Sequence, residues 1–265
     1  VTSRFDDVAS AFVTARRAAQ GLAAFPGPLP QDMAQGYAIQ DRAIALDGRA
    51  IAGWKVGRVP PPHVAALGTD RLAGPIFADT IVRAGPGDAP AMPVFADGFA
   101  AVEAEFMLHV APGYGGPIPI DDAATLAILD EIRIGIEIAS SPYPGINRDG
   151  PTVTVSDFGN NHGLILGPAI ADWRGIDLCA IPLTVEIDGI KVGEATAATM
   201  LDGPLGAVRF LLAHLAGRGI DTSGGLWVST GAVTGVHDIA IGQGACADFG
   251  PHGALRCTIT AARPA

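Results

Sequence analysis

A-A-V-E-A-E-F-M-L-H-V, residues 100–110, sets two glutamates two positions apart inside an apolar run, in a chain with no Glu before residue 103. In an extended strand, alternate residues face the same side. Val102, Ala104, Phe106, Leu108 and Val110 then form one unbroken apolar face, and Glu103, Glu105, Met107 and His109 form the other. The two carboxylates project together, roughly 7 Å apart along the strand. A second stretch, E-I-R-I-G-I-E-I-A-S-S at 131–141, repeats the design. Ile132, Ile134, Ile136 and Ile138 take one face. Arg133, Gly135 and Glu137 take the other, and Gly135 leaves room beside Glu137.

Carboxylates crowded in a partly buried site repel one another, and one takes up a proton unless a cation compensates. Three of them converging from two strands make a hard, oxygen-rich site suited to Mg²⁺ or Mn²⁺, with positions open for water or substrate. The competing reading is the solvated outer face of an antiparallel sheet, where alternation turns charges outward anyway. His109 shares the glutamate face. Hard divalent cations prefer oxygen, so it reads as a peripheral structural histidine rather than a fourth ligand.

Outward from these strands, the 265 residues are 49% hydrophobic and 17% charged, enough to bury a large core. Mean hydropathy is +0.34, yet no apolar run approaches 18 residues, so a membrane-spanning helix is not expected. The N-terminus lacks the basic-then-apolar order of a signal peptide, which points to a cytoplasmic protein. A net charge of −10 with no basic stripe argues against nucleic acid as a partner. Cys179, Cys246 and Cys257 fit no metal-binding spacing and read as reduced thiols.

The first fifty residues read as helical: an Ala-rich stretch from Phe5 to Leu22, a Pro-rich break at 26–30, and a second helix over 32–46 closed by Asp47-Gly48. From residue 51 onward, short apolar runs alternate with Gly and Pro clusters, the mark of strands and turns. L-T-V-E-I-D-G-I-K-V places Asp188-Gly189 at a type I′ hairpin turn, and Leu205 to Ala216 carries a helical apolar stripe. The expected fold class is α+β, with a helical segment at 1–50 and a β-rich body at 51–265 acting as one functional unit.

Several stretches, in this order, resemble the 2-keto-4-pentenoate hydratase and 4-oxalocrotonate decarboxylase branch of the fumarylacetoacetate hydrolase superfamily. They are G-Y-A-I-Q (36–40), G-W-K-V-G (53–57), G-P-I-F-A-D ending at Asp79, E-A-E, and Glu137. S-D-F-G-N-N-H-G-L-I-L-G (156–167), G-P-L-G-A-V-R-F-L-L-A-H-L (203–215) and S-T-G (229–231) follow. The resemblance implies a mixed, multi-layered β fold with a helical N-terminal region. It also implies a divalent metal, Mg²⁺ or Mn²⁺, held by Glu103, Glu105 and Glu137. Lys55 and Asp79 match the family's lysine and acid that face the substrate. Substrates of the family are 2-oxo or 2-hydroxy-dienoic acids, whose C1 carboxylate and C2 oxygen chelate the metal and so polarise the carbonyl. Lys55 then acts electrostatically on the developing negative charge or, were burial to lower its pKa, as a proton donor and acceptor. Asp79 serves as base or water-orienting group. Asp157 and Thr230 are the substrate-binding candidates, Thr230 as a donor to the substrate carboxylate or else as a turn-stabilising residue.

The chain also departs from the family pattern. Where relatives read E-I-x-D-S-R, it has E-I-A-S-S-P, with Ser140 for the acid and Pro142 for the arginine. G-H-P-L becomes Asp202-Gly203-Pro204-Leu205, and in the D-N-A-S run Asp157 is followed by Phe158, Gly159 and Asn160. Lost supporting partners cost tenfold or more in metal affinity or activity. The expected function is hydration of a 2-oxo-alkenoic acid in the catabolism of aromatic ring-cleavage products. Decarboxylation of an unsaturated 2-oxo-dioic acid is the nearest alternative. C–C bond hydrolysis, the superfamily's other activity, ranks third because no Glu precedes residue 103 to complete a His–Glu pair that activates water. A non-catalytic 2-oxo-acid-binding paralogue is a reading of a different class. The resemblance further implies a homo-oligomer, alone or associated with a related hydratase or decarboxylase subunit.

Overall fold

A computed structural model describes residues 4–265. Two helices open the chain, α1 (Arg4–Ala18) and α2 (Met33–Asp47). Asp32 starts α2 by accepting the Gln35 amide, and Gly48 stops it in the left-handed conformation that glycine adopts without strain. Both boundaries lie within two residues of the sequence expectation. The strands are β1 (Ile51–Arg58), β2 (Arg71–Phe77), β3 (Ile81–Arg83), β4 (Ala91–Val94), β5 (Phe99–Val110), β6 (Leu129–Ser141) and β7 (Asn161–Ala169). They continue as β8 (Pro182–Ile187), β9 (Ile190–Thr196), β10 (Leu226–Ser229), β11 (His237–Asp238), β12 (Gly244–Asp248) and β13 (Ala254–Ala261). Short helices α3 (Pro61–Leu67), α4 (Asp122–Ala127) and α5 (Pro151–Ser156) and the longer α6 (Gly203–Gly217) lie between them.

The strands form two sheets. One has the order β2-β1-β10-β5-β6-β7-β3 with β11 paired to β5, and the other runs β4-β13-β12-β8-β9. The Asp188-Gly189 turn joins β8 to β9 with φ of 50° and 77°, both in the region a type I′ turn requires. Ile76 of β2, Met107 of β5, Leu164 and Leu166 of β7 and Trp227 of β10 share one apolar cluster. Strands distant in the sheet order therefore meet, so the first sheet is curled with a concave interior.

The apolar face of β5 and β6 packs outward from that curl. Phe106, Leu108, Ile132, Ile134 and Ile136 join Val185 and Leu255 of the second sheet and Val208 and Leu211 of α6 in the main core. The glutamate face points the other way, into the concave side. It is not a solvated surface, because Glu103, Glu105 and Glu137 are all buried. Gly135 does not make room for Glu137 as expected. A methyl there would sit 2.4 Å from Met107 Cγ, so the glycine makes room for that side chain across the strand.

The N-terminal helices share a third cluster with the body. Val8, Phe12 and Ile39 pack with Phe77, Tyr143, Val153 and Phe158. The described chain matches the α+β, mixed multi-sheet architecture expected of it, with helices gathered at the N-terminus and around the sheets.

Candidate metal centre

Register brings the three glutamates together. In the antiparallel β5–β6 pair, Glu103 lies directly opposite Glu137, and Glu105 opposite Gly135. One carboxylate oxygen of each of Glu103, Glu105 and Glu137 falls within 4.8 Å of the others. Like charges directly opposite on neighbouring strands are destabilising, so this pairing calls for compensation. Part of it comes from Lys55 on β1, whose Nζ lies 3.3 Å from Glu137 Oε2 and donates to Asn160 Oδ1 at 3.2 Å.

The donors around the glutamates are fixed by the backbone. Glu105 Oε2 accepts from the Ser229 hydroxyl and from the Gly231 amide at 2.9 Å, and Glu137 Oε1 accepts from Asn161 Nδ2 at 2.9 Å. Ser229 reaches Glu105 because β10 lies between β1 and β5, with Ser229 level with Lys55. After these bonds, Glu105 Oε1 is buried with no partner in the protein, and Glu137 Oε2 has only the Lys55 ion pair. Buried carboxylate oxygens left unsatisfied are costly. A hard divalent cation held by the three glutamates would supply the missing partner, and the all-oxygen donor set suits Mg²⁺ or Mn²⁺.

Electrostatics agree with the geometry. Burial, followed by the neighbouring glutamates, pushes Glu105 well above the usual carboxylate range. Glu103 is raised to about 7 by burial, partly offset by Lys55 and reinforced by Glu137. Burial alone would strip the proton from Lys55. The attraction of Glu137, Glu103 and Glu105 outweighs it, and the ammonium is held above its ordinary value. With the three carboxylates uncompensated by a metal, Lys55 is held as an ammonium beside them.

Lys55, Glu103, Asn160 and Thr230 open onto a cavity of about 920 Å³. Arg58, Arg71 and Arg148 line it further out. Arg71 is tied to Asp202, the residue that marks the departure at 202–205. The Thr230 hydroxyl donates to the Phe106 carbonyl at 2.9 Å, so it braces β10 against β5 while its residue lines the cavity.

Two candidates lie elsewhere. Asp79 is more than half exposed, paired with Arg49 at 3.4 Å, and does not line the cavity. The turn after β2 carries it outward, which corrects its placement beside the substrate. Asp157 is fully buried and gripped by Arg16, with Nε to Oδ1 at 2.5 Å and Nη2 to Oδ2 at 2.9 Å, so no carboxylate oxygen reaches the cavity. His109 pairs with Asp130 at 2.6 Å, outside the glutamate cluster.

Sequence reasoning missed Asn160, Asn161, Ser229 and Arg16. The paired asparagines sit where Phe158, Gly159 and Asn160 have φ of 56°, 61° and 60°. A left-handed residue other than glycine costs roughly 1–2 kcal/mol, so two of them flanking Gly159 mark a place where geometry is enforced. Only glycine at 74 permits the approach: a methyl there would lie 2.0 Å from the Phe158 carbonyl oxygen.

No family model matches the chain. It is 29% identical over 143 residues to 4-oxalocrotonate decarboxylase of Pseudomonas putida, a match spanning 54% of this chain and about half, 53%, of that protein. Two solved structures of 4-oxalocrotonate decarboxylase from Pseudomonas putida G7, one with magnesium and adipate and one with calcium and acetate, superpose with TM-score 0.77. They cover 98% of this chain and 99% of theirs, at 21% and 20% identity. Fumarylpyruvate hydrolase from Pseudomonas aeruginosa, solved with Mn²⁺ and pyruvate, superposes with TM-score 0.58 at 16% identity, over 80% of this chain and 91% of that one. These findings bear out the resemblance in the motifs: the chain has the fold of the fumarylacetoacetate hydrolase superfamily, and its likeness in sequence and backbone runs to 4-oxalocrotonate decarboxylase.

Proposed function

We propose that the protein is a divalent-metal-dependent lyase acting on an unsaturated 2-oxo acid, with decarboxylation of a 2-oxo-dioic acid ahead of hydration of a monoacid. The observation that carries this reading is the trio of buried glutamates, one with an oxygen that no group in the protein satisfies, facing a buried lysine at the end of a cavity. Glu103, Glu105 and Glu137 would hold Mg²⁺ or Mn²⁺, which when bound supplies Lewis acidity toward the carboxylate and C2 oxygen of a 2-oxo acid.

The chain's own residues do the rest. Lys55 presents an ammonium whose position is set by Glu137 and Asn160, so it meets negative charge developing at the substrate's C2 oxygen without having to reorient. Asn160 is held in turn, its Nδ2 donating to Asn147 Oδ1 at 3.0 Å. Decarboxylation needs this electron sink at the C2 end and no activated water.

The outer cavity supports a dioic substrate. Arg58 is exposed and Arg148 mostly so, both on the lining, and a second carboxylate matches a guanidinium. Decarboxylation is also the activity by which the relative found by sequence and the two solved structures at TM-score 0.77 are named. Incubation with 2-oxohex-3-enedioate and Mg²⁺ or Mn²⁺ tests the order of the two reactions. Release of CO₂ with appearance of a dienol supports decarboxylation. Loss of dienol absorbance from 2-hydroxypenta-2,4-dienoate without CO₂ from the dioate reverses the order, and turnover of neither defeats the lyase reading.

A further inference from the structure

We propose that Arg16, on the N-terminal helix α1, is a positioning residue for the carboxylate site, acting through the 157–161 segment. The inference rests on the metal-site reading above. Arg16 is buried, and its guanidinium donates to five acceptors drawn from two segments. Nε and Nη2 hold the two Asp157 carboxylate oxygens, Nη2 also reaches the Asp157 carbonyl at 3.3 Å and the Ser140 carbonyl at 3.1 Å, and Nη1 donates to the Asn161 carbonyl at 3.2 Å. The remaining contact, at 3.3 Å, is to Nδ1 of His162, which burial and then Arg16 push down to about 3, so the ring carries no competing charge.

The held segment matters because of what it carries. Between the two gripped positions, Asp157 and Asn161, lie the three consecutive left-handed residues, and local preference does not favour that path. Asn160 leaves it to accept from Lys55 Nζ, and Asn161 leaves it to donate to Glu137 Oε1. One guanidinium thus clamps both ends of a strained turn whose two asparagines orient the lysine and one of the three carboxylates. Its planar fork suits simultaneous bonds to a carboxylate and to carbonyls in a way an ammonium does not. The same guanidinium also ties α1 to the end of β6 through the Ser140 carbonyl.

The test is Mn²⁺ affinity of the folded protein well below its melting temperature, for wild type, Arg16→Met, Arg16→Lys and the control Arg17→Met. Arg17 also ties α1 to its surroundings, through the Leu46 and Asp47 carbonyls, but touches nothing near the glutamates. Arg16→Met is expected to weaken Mn²⁺ tenfold or more, the range seen when a supporting partner of a ligand is lost. It should also broaden the electron paramagnetic resonance spectrum of the ion that remains bound. Arg17→Met is expected to lower the melting temperature while leaving Mn²⁺ affinity within twofold. Should Arg16→Met not fold, Arg16→Lys decides, with a weakening of threefold or more expected. Arg16 variants that bind Mn²⁺ within twofold of wild type overturn the proposal while the metal-site reading stands. A wild type that binds no Mn²⁺ overturns both.

Discussion

Four side chains carry separate burdens at the residue scale. Glu105 has one oxygen satisfied twice and one satisfied by nothing in the protein, so replacing it with Gln removes the charge a cation needs while keeping the shape. Glu105→Gln is expected to weaken Mg²⁺ or Mn²⁺ binding by more than ~100-fold, beyond the loss that follows removal of a supporting partner, as isothermal titration would show. Lys55→Met has a different signature. It leaves the three carboxylates in place, so metal binding survives, while turnover falls by at least ~100-fold through loss of the cation beside the reacting oxygen. Equal losses of binding and turnover would instead mean that Lys55 only props up Glu137. Arg58 and Arg148 are argued to read the far carboxylate of a dioate. Changing both to Gln should raise KM for the dioate about tenfold and leave KM for a monoacid unchanged, and equal changes for the two substrates would remove the basis for preferring the dioate.

The element scale explains why the site exists at all. Glu103 and Glu137 are neighbours only because β5 and β6 pair in one register; a slip of one residue would turn the slipped strand's glutamate face into the apolar core. The isoleucines at 132, 134, 136 and 138 hold that register by burying their own face completely. Those strands and their faces were legible in the sequence through period-two alternation. The turn at 157–161 was not, since its conformation comes from Arg16 and from the close passage over Gly74, neither of which leaves a local pattern. Gly74→Ala would press a methyl into the Phe158 carbonyl at 2.0 Å. Backbone must shift in response, at a cost of about 1–3 kcal/mol in chemical denaturation, together with a loss of turnover from the displaced Asn160. A Gly74→Ala protein with wild-type stability would show that the approach is looser than this.

At the scale of the whole molecule, the glutamates couple folding to pH and to metal. Glu103 rises from an ordinary 4.5 to about 7 on folding without metal, mainly through burial. The folded chain therefore binds this proton more tightly than the unfolded one. Stability from this group is fully present below pH 4.5 and is lost as pH rises through 7. A cation competes for the same oxygens, so its stabilising effect runs in the opposite direction. Thermal melts with and without Mg²⁺ should coincide near pH 5 and separate by several degrees near pH 8, where about 2.7 kcal/mol is expected at a hundredfold excess over Kd. A shift independent of pH between 5 and 8 would place the metal elsewhere. Helices α1 and α2 belong to this scale too. They read in the sequence as a helical segment attached to the body, and they share a core with Phe77, Tyr143 and Phe158 and deliver Arg16 to the turn beside the site.

Local periodicity by itself determined the strands, the two N-terminal helices, the hairpin at Asp188-Gly189 and the grouping of glutamates on one face, because each depends on residues close in the chain. The motifs then singled out Lys55 with Glu103, Glu105 and Glu137. Only the tertiary structure decided that this face is a buried concave surface rather than a wet one, that Asp79 turns away and Asp157 serves Arg16, and that Ser229, Asn160 and Asn161 complete the site. Those outcomes depend on contacts between residues up to 145 positions apart, whose partners are chosen by packing and by the need to satisfy buried polar atoms.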